Sequence, residues 1–373
     1  MLLLYLLAAL HCSYGLQVTV NTSLGAVHGF HVDYGDDVTQ LYSGAADVFL
    51  GIPYATPPLG NLRFRLPRRI CTYGAAGINA TAYGPACPQV PNDQSHHADE
   101  DCLQLNVMSP TATSGKKYPV MVWFHGGAYR IGSAYPFDYK GGVRNFVSKG
   151  VVLVTVQYRL DVLGFFSTVS EEFPANRGIF DQLLALRWVQ EEIGSFGGDP
   201  SQVTIFGESA GGCSVSALSL SPLARGLFHR TIQQSGGALF LHLTMNSPMP
   251  THDKRVAREL CNFTEDAWEK RDFASLAKCM QDIEWQKFVN ITPRKKLHGF
   301  AAYADGFLFP DTLSQLAKQR PSYPAILGNV RDEMADFLYQ ELVGSPIDAP
   351  INLSAFDSSI FATYIPDNYP YLK

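Results

Sequence analysis

Residues 207–211 read GESAG and directly follow Val203–Phe206, a run of β-forming residues. A G-x-S-x-G pattern at the end of a strand is typical of a nucleophile elbow, in which a serine occupies the tip of a sharp strand-to-helix turn. Small residues two positions before and after the serine leave room for the chain to fold back. The free N–H groups of the following helix can stabilise an oxyanion beside the serine. The pattern therefore predicts that Ser209 is a catalytic nucleophile.

A second candidate segment is His125-Gly126-Gly127, which follows the apolar run Val120–Phe124. Glycines in such a position allow the backbone itself to approach a developing negative charge. The alternative is a plain tight turn after a strand. Because the chain also contains the predicted nucleophile Ser209, we interpret the segment as an oxyanion-binding loop.

His96 and His97 lie beside three acidic residues, and such a cluster could suggest a metal site. Adjacent ligands in a short loop have poor geometry for coordination, so a solvated loop is favoured. We therefore expect no metal site and no cofactor.

The elements that must position these residues alternate along the chain. Apolar runs predict strands, and apolar residues at helical spacing predict a helix from about Asp181 to Ile193. Strands separated by helices indicate an α/β fold with a mostly parallel sheet covered on both faces. Its active site is expected at the carboxyl ends of the strands, where Ser209 and the two glycines lie. The predicted strands are Val120–Phe124, Val151–Gln157, Val203–Phe206, Thr231–Gln234 and Ala325–Leu327.

Composition sets the broad class of the protein. The chain has 373 residues, of which 46% are hydrophobic and 17% charged, with a net charge of −5. These values describe an ordinary globular protein and give no reason to expect nucleic-acid binding. The apolar run Leu2–Leu10, followed by small residues, predicts a signal peptide spanning residues 1–15 that is cleaved before Leu16. No membrane span is expected after its removal.

The cysteines and sequons agree with an oxidising, secretory route to the extracellular space or the ER lumen. Cys87 with Cys102 and Cys261 with Cys279 are close enough to close small loops. Cys213 is expected to be a buried free thiol, and Cys71 has no evident partner. Glycosylation is predicted at the five Asn-x-Ser/Thr sites: Asn21, Asn79, Asn262, Asn290 and Asn352.

No internal repeat, low-complexity tract or flexible linker divides the chain, so residues 16–373 are expected to form one domain. Residues 248–296 break the alternation of strands and helices. Their polar, helical pattern predicts a lid-like insertion.

The sequence around the elbow resembles that of the type-B carboxylesterase/cholinesterase family of α/β-hydrolases. The matching blocks follow the family's order over nearly all of the chain after the leader. They are Phe49–Phe64, Tyr83–Gln89, Glu100–Val107, Val120–Tyr129, Gln157–Ser167, Gly178–Gly212 and Leu327–Glu333. The resemblance implies an α/β-hydrolase fold, hydrolysis of carboxylic esters and a small-molecule ester as substrate.

Roles carry over from this resemblance residue by residue. Ser209 matches the nucleophile, and Glu333 matches the acidic member of the triad. The backbone N–H groups of Gly126, Gly127 and Ala210 match the oxyanion hole. Glu333 could instead be a solvated loop carboxylate, because Met334 stands where the family usually has glycine. Cys87–Cys102 and Cys261–Cys279 match the first two disulfides of the family.

In this family the triad histidine follows the acidic residue in the chain, so it should come after Glu333. The last histidine of residues 1–373 is His298. The sequence is therefore expected to be a hydrolase lacking its C-terminal strand, helices and histidine, so that the domain is incomplete at its C-terminus. The alternative is a shortened relative that does not catalyse.

The rival class is a non-catalytic binding or adhesion protein, since the family includes such ectodomains. Those proteins characteristically lose the nucleophile, which Ser209 retains. A cholinesterase is disfavoured, because the loop between Cys87 and Cys102 contains no Trp to hold a quaternary ammonium. A general carboxylesterase is the favoured function.

Overall fold

A computed structural model describes residues 16–90, 97–237, 249–291 and 302–331. Their centre is one sheet of ten strands, in the order β1-β2-β3-β5-β7-β6-β8-β9-β10, with β4 paired to β2. The strands are β1 Gln17–Thr22, β2 Gly25–Asp33, β3 Ala45–Pro53, β4 Ile78–Asn79, β5 Gln104–Ser109, β6 Tyr118–Phe124, β7 Val152–Val156, β8 Gly198–Glu208, β9 Arg230–Gln234 and β10 Ala325–Gly328.

The described residues up to Leu327 form one compact unit, and Gly328–Arg331 fall in a second. That residues 16–373 make up a single domain therefore stays a prediction. The described α-helices are α1 Tyr139–Asn145, α2 Asp161–Phe165, α3 Arg177–Glu192, α4 Ala210–Leu220, α5 Met249–Cys261, α6 Glu265–Glu269, α7 Phe273–Gln281, α8 Trp285–Ile291 and α9 Leu313–Gln319.

The fold-class prediction is confirmed, because this mixed sheet with helices on its two faces is an α/β-hydrolase arrangement. Strands β7, β6, β8 and β9 run parallel to one another. The N-terminal strands β1, β2, β3 and β5 pair antiparallel and join the parallel part through β7. Each strand that was predicted from an apolar run lies in the part of the sheet formed by β7, β6, β8, β9 and β10.

Side chains of successive strand residues alternate between two separate apolar cores. On β6, Val122 and Phe124 join the larger core, whereas Trp123 joins the smaller one. The larger core includes apolar residues of α3 and α4, and the smaller one includes Val143 of α1. Period-two alternation with both sides buried is what a sheet covered by helices requires.

Helix α3 begins four residues before the predicted start at Asp181. Its first residue, Arg177, is fully buried. The guanidinium donates hydrogen bonds to the carbonyls of Val162, Leu163 and Pro174. A buried arginine satisfied by backbone carbonyls gives no apolar periodicity, so the sequence pattern could not reveal this turn.

The prediction that residues 248–296 form helices is confirmed for their described part, which contains α5 to α8. Its function as a lid stays a prediction. Arg63 ties this segment to the rest of the unit: the guanidinium pairs with Glu100 at 2.6 Å. The same side chain donates to the carbonyl oxygens of Met280, Gln281 and Ile283.

Both predicted disulfides are present, Cys87–Cys102 and Cys261–Cys279. The two remaining described cysteines are free, with Cys71 exposed and Cys213 buried. Burial raises the pKa of the Cys213 thiol to about 12, so this thiol stays protonated and unreactive. Within the described ranges, no helix is both long enough and apolar enough to cross a bilayer.

Candidate active site

Ser209 lies at the junction of β8 and α4 in a backbone conformation that few residues other than glycine adopt. Its φ is 53° and its ψ is −122°. Such conformations cost about 1–3 kcal/mol and persist only where the surrounding structure enforces them. The following helix α4 is buried along its whole length. The turn therefore presents a strained, partly exposed serine at the carboxyl end of a central strand.

The glycines on either side of Ser209 are required by close backbone contact. A Cβ atom at Gly207 would lie 2.5 Å from the carbonyl carbon of Gly211 and 2.7 Å from the carbonyl oxygen of Phe124. A Cβ atom at Gly211 would overlap the same Phe124 oxygen. Strand β8, helix α4 and the end of β6 thus meet backbone to backbone, which explains the G-x-S-x-G spelling.

The second predicted segment starts where β6 ends, beside the elbow. A Cβ atom at Gly126 would lie 3.2 Å from the Cβ atom of Ser209, so the two residues are direct neighbours. Gly127 has a φ of 109°, which favours glycine. Ala128 and Tyr129 follow with φ values of 55° and 56°. The loop after β6 is therefore wound tightly against the nucleophile.

The N–H groups of Gly126, Gly127 and Ala210 donate no hydrogen bond to any described residue. Gly126 adjoins Ser209 in space, and Ala210 follows it as the first residue of α4. Unsatisfied N–H groups at a helix N-terminus and in a glycine loop can bind an oxygen that gains negative charge. The arrangement can therefore stabilise a tetrahedral oxyanion formed at Ser209.

Two buried glutamines that the sequence reasoning missed hold this loop in place. Gln89 accepts from the N–H of Gly132 at 2.9 Å and donates to its carbonyl at 2.8 Å. Gln157 accepts from the N–H of Ala134 at 2.9 Å. Both lie in blocks that match the family, Tyr83–Gln89 and Gln157–Ser167. Their place in these blocks was the one sequence signal that could have identified them.

A further set of contacts connects the loop to helix α4. The hydroxyl oxygens of Tyr129 and Ser214 are 3.2 Å apart. Ser214 also donates to the carbonyl of Ala210 at 3.0 Å and accepts from Gln182 Nε2 at 2.9 Å. Because Ala210 and Tyr129 lie on the two sides of the anion site, these contacts couple the positions of its two halves.

His125 belongs to the frame of the oxyanion loop. The side chain is fully buried and stacks on Tyr158 at 4.4 Å between ring centroids. Its Nδ1 lies 2.8 Å from the carbonyl oxygen of Gly126, and the Tyr158 hydroxyl donates to the His125 carbonyl at 2.6 Å. Burial lowers the pKa of His125 to about 4, and the hydrogen bond to Gly126 only partly opposes this shift. The imidazole is therefore neutral near pH 7.

We expect His125 to make the protein less stable in mild acid. The unfolded pKa is about 6.5, so unfolded chains bind a proton between that value and about 4 while the folded chain does not. Stability is then full above pH 6.5 and is lost as the pH falls. At pH 5, this effect of His125 lowers the free energy of unfolding by about 2 kcal/mol relative to its value above pH 6.5.

Urea unfolding of wild type and His125→Asn at pH 7.5 and pH 5 measures this contribution. The asparagine amide can still donate to the Gly126 carbonyl but cannot titrate. The loss between the two pH values should be smaller by about 2 kcal/mol in the variant. Equal losses in both proteins would show that His125 is not the responsible group.

Not every predicted site residue falls in the described part of the chain. Glu333 and His298 lie outside the described residues, as does His96. Within the described ranges, no group of three His, Cys, Asp or Glu residues could hold a metal ion. The described part thus brings together Ser209 and the three N–H donors.

The sequence model of the Carboxylesterase family matches residues 16–366. Similar curated proteins include Carboxylesterase 5A of Canis lupus familiaris, with 41% identity over 76% of this chain and 50% of the relative. Carboxylesterase 5A of Homo sapiens is 39% identical over 83% of this chain and 53% of the relative. Carboxylesterase 3 of Homo sapiens is 40% identical over 84% and 54%. The chain spans about half the length of the curated relatives it matches.

Proposed function

The chain belongs to the carboxylesterase family, and on this premise we propose that it is part of a secreted serine hydrolase that acts on small carboxylic esters. The observation that carries the proposal is the strained Ser209 with Gly126 beside it. Ser209, with a φ of 53°, lies partly exposed at the strand end, and the adjacent backbone offers N–H groups that donate to no described residue. This pairing is what acyl transfer needs and what a simple turn does not.

The proposed mechanism runs through an acyl-enzyme. Ser209 Oγ attacks the ester carbonyl carbon while its proton passes to a general base. The carbonyl oxygen becomes an oxyanion bound by the N–H groups of Gly126, Gly127 and Ala210. Collapse of this intermediate breaks the bond to the alcohol, which leaves with the proton. Water then attacks the acyl-serine by the same steps and releases the carboxylic acid.

The general base in this proposal is a histidine oriented by Glu333, in the chain order Ser, acid, His. Residues 1–373 contain no histidine after His298, so we assign the base to a segment that follows Glu333 in an active form. His125 is not suited to the task. Its ring is buried and lies against Tyr158 and the Gly126 carbonyl.

To test this function, residues 1–373 are joined to the matching C-terminal segment of Carboxylesterase 3 from Homo sapiens. The fused protein should hydrolyse an aryl acetate and react with a fluorophosphonate at Ser209. In the Ser209→Ala variant, kcat should fall by about 10⁶-fold. Asp199→Asn, a change at a partly exposed position near the start of β8, serves as the control and should leave the rate unchanged.

The alternative is a non-catalytic binding or adhesion protein of the same family. A fused protein that folds, carries both disulfides and leaves Ser209 unlabelled would support this alternative. The intact elbow favours the enzyme, because the strained Ser209 lies beside backbone N–H groups that donate to no described residue, an arrangement that suits acyl transfer.

For secretion, we expect loss of residues 1–15 and glycans at several of the five sequons. Asn352 and the leader lie outside the described residues, whereas the side chains of Asn21, Asn79, Asn262 and Asn290 are exposed. A glycosyltransferase can reach an exposed asparagine without unfolding the domain. Intact mass before and after glycosidase treatment of secreted material measures both events. A protein that keeps Met1 and loses no mass would contradict them.

A further inference from the structure

A cavity of about 310 Å³ lies beside α2, between the following loop and the helical segment that contains α5 to α7. None of its described lining residues belongs to the Ser209 site. Aromatic rings form much of the wall: Phe165, Trp268, Phe273 and Tyr303. A cavity of this size that combines aromatic walls with polar side chains can hold a small molecule.

Asp253 lines this cavity and is its most unusual residue. The side chain is only 3% exposed, and the nearby backbone of Ser167 only partly offsets the effect of burial on the pKa of its carboxyl. One carboxyl oxygen, Oδ1, is buried and has no hydrogen-bond partner among the described residues. A buried polar atom without a partner is costly, and in native proteins it commonly marks a place where a ligand or water binds.

Two other lining residues have strained backbones. Val169 has a φ of 49°, and Arg271 has a φ of 56°. Positive φ is unusual for any residue with a side chain and especially so for a β-branched one such as valine. Strain of this kind clusters at active sites, ligand-binding segments and switch regions. Val169 is 44% exposed, so the cavity reaches the surface on that side.

The charges around the cavity disfavour a charged ligand. Arg271 lines it with the guanidinium over the Phe273 ring at 5.2 Å, and Arg177 acts electrostatically on Asp253. Both cations would repel an ammonium group. Glu269 also lines the cavity, where it pairs with Lys254 at 3.1 Å, and it would repel a carboxylate.

A hydroxyl group satisfies Asp253 in either protonation state, because it can donate a hydrogen bond and also accept one. Burial raises the pKa of Asp253 well above its usual value, and the nearby Arg177 only partly offsets this. A protonated Asp253 would donate to the ligand oxygen, and an ionised Asp253 would accept from the ligand O–H.

We propose that this cavity is a second ligand site, which binds a small uncharged alcohol with its hydroxyl on Asp253 Oδ1 and its apolar body against Trp268 and Phe273. The site goes beyond the proposed esterase function and does not depend on it. It forms from residues far apart in sequence, since Ser167 and Val169 follow α2 while Asp253 lies on α5.

Four probes of similar shape test the proposal on the 373-residue protein: benzyl alcohol, toluene, benzylamine and benzoate. Dissociation constants are measured by ligand-observed NMR. Benzyl alcohol should bind about fivefold more tightly than toluene, which corresponds to one hydrogen bond. It should also bind more tightly than either charged probe. Equal affinity for benzyl alcohol and toluene, or a preference for a charged probe, would overturn the proposal.

Three variants locate the binding. Asp253→Leu should remove the preference for the alcohol over toluene, and Asp253→Asn should keep it because the amide can still form the hydrogen bond. Trp268→Ala should weaken the binding of benzyl alcohol and of toluene by the same factor. This variant still tests the site if Asp253→Leu does not fold. Asp266→Asn, an exposed change on α6, is the control and should alter nothing. Binding that survives Trp268→Ala unchanged would place the probe elsewhere and refute the site.

Discussion

Residues 1–373 expressed by themselves should hydrolyse a simple aryl ester little above background, and Ser209→Ala should change that rate by less than about tenfold. Without a base, the Ser209 hydroxyl keeps its proton and attacks poorly. The N–H groups of Gly126, Gly127 and Ala210 can still stabilise charge, but losing the triad histidine costs about 10⁶-fold in kcat. Initial rates with an aryl acetate and fluorophosphonate labelling measure the effect.

The contrast between the two forms makes this result diagnostic. In the fused protein Ser209→Ala should abolish turnover, whereas in residues 1–373 it should matter little. Fast turnover by residues 1–373 that disappears in Ser209→Ala would mean that a histidine within them is the base. His298 is then the first candidate, and His298→Ala would identify it. That outcome would overturn the assignment of the base to a later segment.

Gly211→Ala should destabilise the protein by about 3 kcal/mol, the upper end of what an extra methyl group costs in a filled core. A Cβ atom at this position overlaps the carbonyl oxygen of Phe124 and lies 2.9 Å from that of His125. Both contacts are with backbone, which cannot rotate away as a side chain would. The unfolding midpoint in urea measures the loss.

Gly141→Ala on α1 is the matched control for this variant. A Cβ atom at Gly141 meets nothing within 4 Å, and the residue lies inside a helix. The change should therefore stabilise the protein by about 0.5–1 kcal/mol through the helix propensity of alanine. Equal midpoints for the two variants would show that the elbow has spare room, against the packing described for β6, β8 and α4.

The sequence predicted the chemistry-bearing turn and the parallel half of the sheet, because both have strong local signals. Ser209 and Gly126 are marked by glycine spacing, and β6, β7 and the segment Val203–Phe206 of β8 are rich in apolar and β-branched residues. The antiparallel strand β1 was missed for the opposite reason. Strand β1 has one buried residue in six, so its pattern hardly differs from that of a loop.

Residues that act through tertiary hydrogen bonds were also missed. Gln89 and Gln157 are polar residues in loops, and nothing in their local sequence shows that they fix the oxyanion loop. Asp253 stands in a polar helix and gives no sign of its burial. Such roles depend on partners distant in the chain, which periodicity cannot detect.

The pairing of β6 with β8 bears on how this protein can vary. Phe124 and Gly207 are register partners, so the oxyanion loop and the serine each begin just beyond neighbouring strand ends. Their separation is set by the spacing of paired strands, about 4.8 Å, and not by the chain that connects them. Insertions or deletions between the two strands, in the region of α1, α2 and α3, can therefore reshape the surface around the serine without moving it relative to Gly126. If the proposed esterase function holds, related proteins can differ in the ester they accept while Ser209 and Gly126 keep their relative geometry.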